Sequence, residues 1–370
     1  MPVNPFAISE DQCSVADTLR RLLEDSNDFA SRRARLDAVE PDRMALWPAF
    51  AEQGVIAAAF DEGLGGFAGD ARTIAVIMAE MGPALVVEPY LATAVVAGHA
   101  IGHWTDRNAA RAASEAIIEG RRVYLLAHDC FETVHGPYVT ARRSADTNTL
   151  TGTIPAVRHG ELAHAFLVPA RTDDGSVEFY WVEREHPGLH VQPYRLIDAA
   201  GGANLRFEDV RLSDSAAMRF DVPAQAVWND AMEWGSLGLA AEVAGILGSL
   251  NAATFSYLMT RKQFGVAIGT FQALQHRAAD MWIAAEELMA IVDLAIESMR
   301  SAPSVARTRI VSAMRAVANK SGRRVGNDAV QLHGGMGVSE ELIVSHSFRR
   351  LAAARIEMGA DAPPPERIAE

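Results

Sequence analysis

The spacing of apolar residues changes period twice along this 370-residue chain, and that change limits the possible folds more than any other feature. From about residue 8 to 113 apolar residues recur at helical spacing, as Leu19, Leu22 and Leu23 illustrate. From about residue 121 to 212 the period is two, and from about residue 224 the helical period returns. The sequence therefore predicts an α+β fold in which a β-rich middle separates two helical parts.

The middle part contains short runs rich in β-branched and aromatic residues, bounded by Gly, Asp or Asn. These runs are Val123–Leu126, Tyr138–Thr140, Ala165–Val168 and Val177–Val182. No helical pattern lies between them. Several strands at this spacing predict a central antiparallel β-barrel.

The last part contains three long amphipathic patterns with short connections between them. The first repeats through Val243, Ile246, Leu247 and Leu250, and the others follow after Phe271 and Pro303. Such helices predict an antiparallel four-helix bundle. We therefore divide the chain into an N-terminal α-helical domain (1–115), a β-barrel domain (116–220) and a C-terminal helical bundle (221–370).

Charge and cysteine content exclude several functional classes. The net charge is 34 basic minus 47 acidic residues, or -13, which disfavours binding to nucleic acid or to an anionic membrane. Cys13 and Cys130 are too few for a disulfide framework, and no Cys/His spacing suggests a metal site. There is no signal-peptide pattern at the N-terminus, and no apolar run approaches about 20 residues. We expect a cytoplasmic protein without a metal.

Two glycine-bearing clusters in the last third have the chemistry of an anion site. Arg261–Gly265 is followed by Gly269–Gln272, and Gln331–Gly337 ends a predicted helix. An arginine fork suits a pyrophosphate, and glycines let a backbone approach a ligand closely. Taken singly, Arg261 could equally be a surface residue and the glycines could simply cap a helix.

Taken together, the two clusters resemble the acyl-CoA dehydrogenase family. That family reads Arg-x-x-Phe-Gly, then Phe-Gln, then Gln-x-x-Gly-Gly-x-Gly about seventy residues on, and here Arg261 and Gln331 are 70 residues apart. The resemblance extends to Asp61–Gly66, Phe207–Val210 and His346–Arg350, and so covers nearly the whole chain.

The resemblance implies a helical domain, a β-domain and a four-helix bundle, with FAD shared across a dimer interface. It implies α,β-desaturation of an acyl-CoA thioester, with electron-transfer flavoprotein as a possible electron acceptor. Arg261 and Phe264 would grip the FAD of the neighbouring subunit, and Gln331 and Gly335 would meet its adenosine end. The full set of cofactor residues implied in this way is Arg261, Phe264, Gln272, Gln331, Gly334 and Gly335.

The segments that hold the flavin ring in the family are altered in this chain. The family's Thr-Glu-Pro-x-x-Gly-Ser-Asp motif is absent from Ala127–Glu132. In the second segment the Trp that backs the ring is replaced by Ala156, and the Thr that bonds it is replaced by Arg158. These changes remove stacking area and a hydrogen-bond donor.

The base of the family is also displaced. Its commoner position falls on Met358, with Glu357 one residue away, and its less common position falls on Gly235. Glu233 lies near that second position and Glu242 lies seven residues beyond it, so these two are the candidate catalytic residues. Glu233 could instead be a solvated residue of the first helical turn, and Glu242 a structural carboxylate bonded to a neighbouring helix.

Two runs, Arg-Lys-Gln-Phe-Gly-Val-x-Ile-Gly from Arg261 and Ala-Leu-Val-Val-Glu-Pro-Tyr-Leu-Ala-Thr at residues 84–93, point to one branch of the family. They resemble the small subunit of pimeloyl-CoA dehydrogenase and related subunits of steroid-degrading bacteria. In that branch two unlike subunits often form an α2β2 tetramer with fewer flavins than chains. The first functional hypothesis is a subunit of an FAD-dependent acyl-CoA dehydrogenase. The alternative is a catalytically silent subunit that completes the FAD site of a homologous partner, and a third is an active homotetramer with a relocated base.

Overall fold

The computed structural model describes residues 4–67, 69–129, 139–144, 147–301 and 303–359. The predicted order of helices, then strands, then helices is confirmed. The α-helices are α1 (Glu10–Ser26), α2 (Phe29–Leu36), α3 (Trp47–Glu52), α4 (Ala71–Met81), α5 (Gly98–Gly102), α6 (Arg107–Ile118), α7 (Ala224–Thr260), α8 (Gln272–Met299), α9 (Val305–His333) and α10 (Ile343–Glu357). A π-helix, Leu91–Ala97, runs directly into α5.

The strands form one large sheet and one small hairpin. The large sheet contains β1 (Tyr124–Leu126), β2 (Val139–Ser144), β3 (Thr147–Arg158), β4 (Ala165–Thr172), β5 (Val177–Glu183), β6 (Leu189–Arg195), β7 (Gly201–Ser213) and β8 (Ala217–Met218). The hairpin pairs β9 (Lys262–Gln263) with β10 (Val266–Ala267). Residues Cys130–Tyr138, which include the predicted start of β2 and half of the first flavin segment, lie outside the described residues.

The strand order of the large sheet is β6-β7-β3-β2-β4-β5-β8, with β1 also paired to β4. Most neighbours are antiparallel, but β1 and β2 both run parallel to β4, along different lengths of it. The predicted antiparallel pairing therefore holds for most of the sheet, and the two parallel pairs were not predicted. Alternation of apolar residues fixes which side chains face the core, but it carries no information about the direction of the neighbouring strand.

The core of the sheet is apolar and tightly buried. Phe166, Val168, Val182, Leu205 and Phe207 are each at most 1% exposed. On β7 they alternate with more exposed residues, whereas β4 is buried on both faces over its first six residues. This sheet carries the segment that corresponds to the family's flavin-ring contacts.

The described chain separates into two compact units. The first combines the chain up to Pro41, Ala71–Val86 and the chain from Ser236 onward. The second combines Asp42–Asp70 with Val87–Gly235, and so contains the large sheet. The division into domains 1–115, 116–220 and 221–370 stays a prediction.

In the first unit the end of α4 packs backbone against backbone on α7. A Cβ placed on Gly82 would collide with the carbonyl oxygen of Glu242, and one on Gly245 would collide with that of Ala79. Glycine is therefore required on both sides of this crossing. Main chains at such close range leave little freedom for the helices to slide.

Among the described residues, α7 alone is long and apolar enough to cross a membrane. Of its most apolar stretch, however, 72% is buried inside the protein. A core helix of a globular protein has the same length and composition, and this degree of burial is typical of one.

Candidate functional site

The hairpin after α7 exposes Phe264 to solvent, with only the ring of Phe271 nearby at a centroid distance of 6.3 Å among the ring contacts of the described residues. Phe264 and Gly265 form its two-residue turn, with φ of 53° and 85°. Two successive positive φ angles define a type I′ turn, which matches the twist of paired strands but is unfavourable for a bulky residue. Phe264 nevertheless occupies it, and its side chain is 90% exposed. A large aromatic side chain presented in this way is available to a ligand or a second chain.

Arg261 lies between the end of α7 and this hairpin. Its backbone N–H donates to the carbonyl of Tyr257 at 2.8 Å, which fixes the position of the residue. Its side chain is exposed, and among the described residues it forms no ion pair. Gln272, the first residue of α8, is exposed as well. Both side chains are therefore available to an external anion.

A ring stack ties the ends of α7 and α9 together. Tyr257 and His333 stack with centroids 4.4 Å apart and an interplanar angle of 25°. His333 is buried, and its Nδ1 lies 2.8 Å from the carbonyl of Ala329. Arg261 follows Tyr257 by one helical turn and Gln331 precedes His333 by two residues. The two predicted cofactor clusters thus meet at one end of the bundle.

The glycines after α9 differ in what surrounds them. A Cβ on Gly337 would collide with the carbonyl of Val330, so Gly337 is required by the packing of the chain itself. A Cβ on Gly334 or on Gly335 would meet nothing within 4 Å. Gly335 is thus left open to a group from outside. We name the exposed set formed by Arg261, Phe264, Gln272, Gln331, Gly334 and Gly335 the Arg261 surface.

In the segment of β3 that corresponds to the family's flavin-ring contact, Ala156 and Arg158 are engaged in contacts within the protein. Ala156 is 4% exposed, and its N–H donates to Oδ1 of Asn204 at 3.1 Å. Arg158 donates from Nη2 to Oδ2 of Asp198 at 2.8 Å, and the two side chains are 13% and 1% exposed. The residue that replaces the family's Thr is therefore committed to an internal ion pair.

A buried carboxylate lies immediately beyond this segment. Neither oxygen of Glu161 has a hydrogen-bond partner in another described residue, and both are inaccessible to solvent. A Cβ on Gly201 would coincide with the Glu161 carboxyl group, so only glycine lets the carboxylate pack there. Burial raises the pKa of Glu161, although the charges of Arg43, Arg158 and Arg184 act in the opposite direction.

Glu161 should make stability depend on pH. The folded protein binds its proton more tightly than the unfolded chain does, whose glutamate pKa is about 4.3. The higher proton affinity of Glu161 in the folded protein therefore stabilises the fold fully below about pH 4.3. This stabilisation is lost as the pH rises through the pKa that Glu161 has in the folded protein. We expect Glu161→Gln to be stabilised relative to wild type more at pH 8 than at pH 5, as measured by urea unfolding. The exposed Glu185→Gln serves as control, and an unchanged pH profile in Glu161→Gln would contradict this role.

Glu242, one of the two predicted catalytic residues, is held in a buried ion cluster. Arg350 donates to both of its carboxylate oxygens, at 2.6 and 2.8 Å, and to Oε1 of Glu357 at 2.7 Å. The side chains of Glu242, Arg350 and Glu357 are 7%, 6% and 10% exposed, respectively. This arrangement supports the structural alternative for Glu242, and it commits Glu357 in the same way.

The commoner base position is equally closed. Met358 caps the C-terminus of α10 and is 4% exposed, and Gly359 follows with φ of 70°, the left-handed conformation common after a helix. Arg315 donates to the carbonyl of Met358 from Nε at 3.2 Å and from Nη2 at 2.6 Å. This guanidinium binds the end of α10 in a register in which Glu357 pairs with Arg350 and does not occupy the place of Met358.

Glu233, the other predicted catalytic residue, is 9% exposed on the part of α7 that belongs to the second unit. It does not lie on a solvated first turn of the helix, because α7 begins nine residues earlier. Its neighbour Trp234 packs on His99 with ring centroids 4.0 Å apart. A Cβ on Gly235 would lie 2.8 Å from Val96, so the less common base position has no room for a side chain.

Sequence reasoning missed Arg350 and Asp198 as determinants of this region. Arg350 is 108 residues from Glu242, and Asp198 is 40 residues from Arg158. Neither pair has a local spacing that announces it. One signal could have indicated a buried cation. Glu242 and Glu357 lie near the two positions from which the family's base is missing, and a buried carboxylate requires a cation.

FAD fits one half of these residues and not the other. The Arg261 surface offers a guanidinium, amide side chains and open glycine backbone to a pyrophosphate and an adenosine. The β3 segment offers Ala156 in place of a stacking ring and an arginine already paired to Asp198. An isoalloxazine ring therefore finds no counterpart of the family's contacts there.

Comparison with known proteins agrees with this assignment of motifs. Residues 9–120 match the acyl-CoA dehydrogenase N-terminal domain, and residues 226–370 match the acyl-CoA dehydrogenase C-terminal domain. Acyl-CoA dehydrogenase FadE27 of Mycobacterium tuberculosis is 32% identical over 323 residues, which are 84% of this chain and 83% of FadE27.

Solved structures show the same fold. A chain of the ChsE4-ChsE5 complex from Mycobacterium tuberculosis has a TM-score of 0.87 at 24% identity, over 96% of this chain and 94% of that chain. Butyryl-CoA dehydrogenase from Megasphaera elsdenii has a TM-score of 0.83 at 21% identity, over 95% of each chain. This chain belongs to the acyl-CoA dehydrogenase family, whose members are FAD-dependent oxidoreductases acting on the CH–CH bond of acyl-CoA.

Proposed function

We propose that this chain is a subunit of a heteromeric acyl-CoA dehydrogenase and lends its Arg261 surface to an FAD site whose ring and base come from a homologous partner. The observation that carries the proposal is the contrast between that surface and the rest of the candidate site. The nucleotide-binding residues are exposed and open, whereas Arg158, Glu242 and Glu357 are all committed to internal ion pairs.

In the family's reaction FAD supplies the hydride acceptor for desaturation of the thioester. The role of this chain is to hold the far end of that cofactor. Arg261 would neutralise the pyrophosphate through paired hydrogen bonds, and Phe264 would cover it from the hairpin turn. Gln331 and the open backbone at Gly335 would meet the adenosine. Each of these contacts reaches outward, as a site shared between two chains requires.

The proton at Cα would be removed by a carboxylate of the partner. A general base needs a carboxylate that can accept a proton without losing a stronger interaction. Protonation of Glu242 or Glu357 would weaken an ion pair with Arg350 that is almost fully removed from water. These two residues therefore serve the fold, and neither is proposed as the base.

A second candidate function is an active homo-oligomer in which Glu233 is the base. The observation in its favour is that Glu233 is buried on α7, close to the position of the family's less common base. Glu233→Gln removes the basic group and keeps the shape. A loss of dehydrogenase activity of about 10²-fold or more in the chain alone would favour this candidate.

The cellular context proposed is the cytoplasm, with electron-transfer flavoprotein as electron acceptor and an acyl-CoA as substrate. The heteromeric ChsE4-ChsE5 complex, whose fold this chain shares, makes a two-subunit assembly a reasonable architecture. An α2β2 tetramer would place one such chain beside each partner.

The test is an activity assay of the chain alone and with its partner. The tagged chain is isolated from the organism that makes it, and a copurifying homologue with an intact ring motif is then produced together with it. We expect acyl-CoA-dependent dye reduction only from the mixture. Equal activity per chain without any homologue would contradict the proposal.

A further inference from the structure

The first unit contains a cavity of about 650 Å³ that involves none of the Arg261 surface and none of the candidate bases. Its walls come from α1, α2, α4, α7, α8 and the first residue of α10. The floor is a row of small residues on α7, and Leu23, Phe29 and Met289 form apolar parts of the wall. Ligand pockets of proteins are roughly 300–1,000 Å³, so the cavity has the size of a small-molecule site.

The floor is open because of two glycines with different roles. Gly245 is required by the crossing with α4, as described above. Gly248 is exposed, and a Cβ placed on it would meet nothing within 4 Å. No packing within the described chain therefore explains glycine at position 248, where it also costs helix stability. Because Gly248 has no side chain, the space above it remains part of the cavity.

The polar side chains of the wall point their hydrogen-bonding groups into the protein. Arg20 donates twice to Glu80, at 2.6 and 3.0 Å, and Asn4 donates to Glu80 at 2.8 Å. Asn27 donates to the carbonyl of Ala84 at 2.9 Å, and Arg32 donates to that of Leu85 at 2.8 Å. The wall thus satisfies its own polar groups and presents mainly apolar surface to the cavity.

Two further charges near the cavity are acidic. Glu24 and Asp28 belong to the lining and are exposed, so they lie on its solvent side. They repel an anionic ligand such as a CoA thioester, and the two cations of the wall, Arg20 and Arg32, already donate to oxygens of the protein. The charge distribution therefore selects against acyl-CoA itself and favours an uncharged ligand.

We propose that this cavity is a binding site for an uncharged, largely apolar small molecule, separate from the cofactor and substrate sites of the family. Its volume and its mainly apolar wall are those of a small-molecule site. Since Arg261 directly follows α7, a ligand in the cavity would contact the helix that leads to the Arg261 surface.

The probe for this site is prodan, a neutral naphthalene dye, titrated into the purified full chain. We expect a saturable blue-shifted emission with one site per chain. Gly248→Leu should fill the floor and weaken prodan binding at least about tenfold. Ala252→Leu, which fills the same cavity from a lining residue, should act in the same direction.

The matched control is Ser256→Leu, an exposed position two turns further along α7 that does not line the cavity. It should leave prodan affinity unchanged. Thermal unfolding of the variants should show no loss of stability, because leucine replaces glycine in a helix where space is free. The anionic dye 1-anilinonaphthalene-8-sulfonate should give the same signal with wild type and Gly248→Leu.

Unchanged prodan affinity in both Gly248→Leu and Ala252→Leu would overturn the proposal. The proposal would also be overturned if both variants changed the mass of the assembly in solution and weakened prodan binding only in the assembly of changed mass. The occupant of the cavity would then be a protein. Neither result depends on which subunit supplies the base, so failure here is distinguishable from failure of the proposed function.

Discussion

Replacement of Arg350 by methionine should lower the free energy of unfolding by about 3–5 kcal/mol, the largest effect expected of any single substitution in the first unit. Arg350 is the cation that Glu242 and Glu357 share, and all three side chains are at most 10% exposed. Without it, two carboxylates would remain buried without their cation. Equilibrium unfolding in urea at neutral pH measures the loss.

The neighbouring arginine is a matched control. Arg349 also makes a bidentate pair, with Glu340 at 2.7 Å for both bonds, but the side chains are 27% and 56% exposed. Exposed pairs are worth about 0–1 kcal/mol, so Arg349→Met should change little. Adding Glu242→Leu and Glu357→Leu to Arg350→Met should recover most of the loss, because an apolar replacement of a whole buried ion cluster is often neutral. A loss of under about 1 kcal/mol for Arg350→Met would remove the basis for treating these carboxylates as structural.

Replacement of Arg261 by alanine in the assembled complex should weaken FAD binding about 100-fold. Hydrogen bonds to charged groups contribute about 1.5–3 kcal/mol each, and a fork that makes two of them to a pyrophosphate reaches about 3 kcal/mol. Titration of the FAD-free complex with FAD, followed by quenching of flavin fluorescence, measures the dissociation constant.

Arg300→Ala is the control for loss of one positive charge, because Arg300 is exposed at the far end of α8 from Gln272. It should leave FAD affinity unchanged. Arg261→Lys should recover part of the affinity, since an ammonium keeps the charge but not the paired geometry. Equal FAD affinity in wild type and Arg261→Ala would separate the Arg261 surface from the cofactor.

Much of the fold was predictable because it depends on local patterns. The apolar face through Val243, Ile246, Leu247 and Leu250 is buried along α7, and the run Ala165–Val168 forms the first half of β4. Helix and strand periods are properties of a few neighbouring residues, and a chain that satisfies them over long segments has few alternatives.

The parts that were not predictable depend on long-range pairing. The parallel pairing of β1 and β2 with β4 leaves no mark on the alternation of their residues. The arrangement of Arg350, Glu242 and Glu357 depends on how α7 and α10 pack, which no spacing within either helix specifies.

For the candidate site, comparison with the family's motifs located the altered positions, but it did not show which contacts the new residues make. That Ala156 and Arg158 differ from the family was readable from the chain, whereas the ion pair between Arg158 and Asp198 was not. The same holds for Gly235, whose contact with Val96 explains why a carboxylate cannot stand there. The structure thus shows that internal contacts fill both the altered flavin-ring segment and the less common base position.

The flavin stoichiometry of the purified chain, measured from flavin absorbance after denaturation together with the mass in solution, tests the shared-site proposal most directly. The expected result is no FAD in the chain alone and FAD in fewer copies than chains once the homologous partner is present. One FAD per chain in a homo-oligomer would contradict it, because this chain would then hold a complete flavin site despite Ala156 and Arg158.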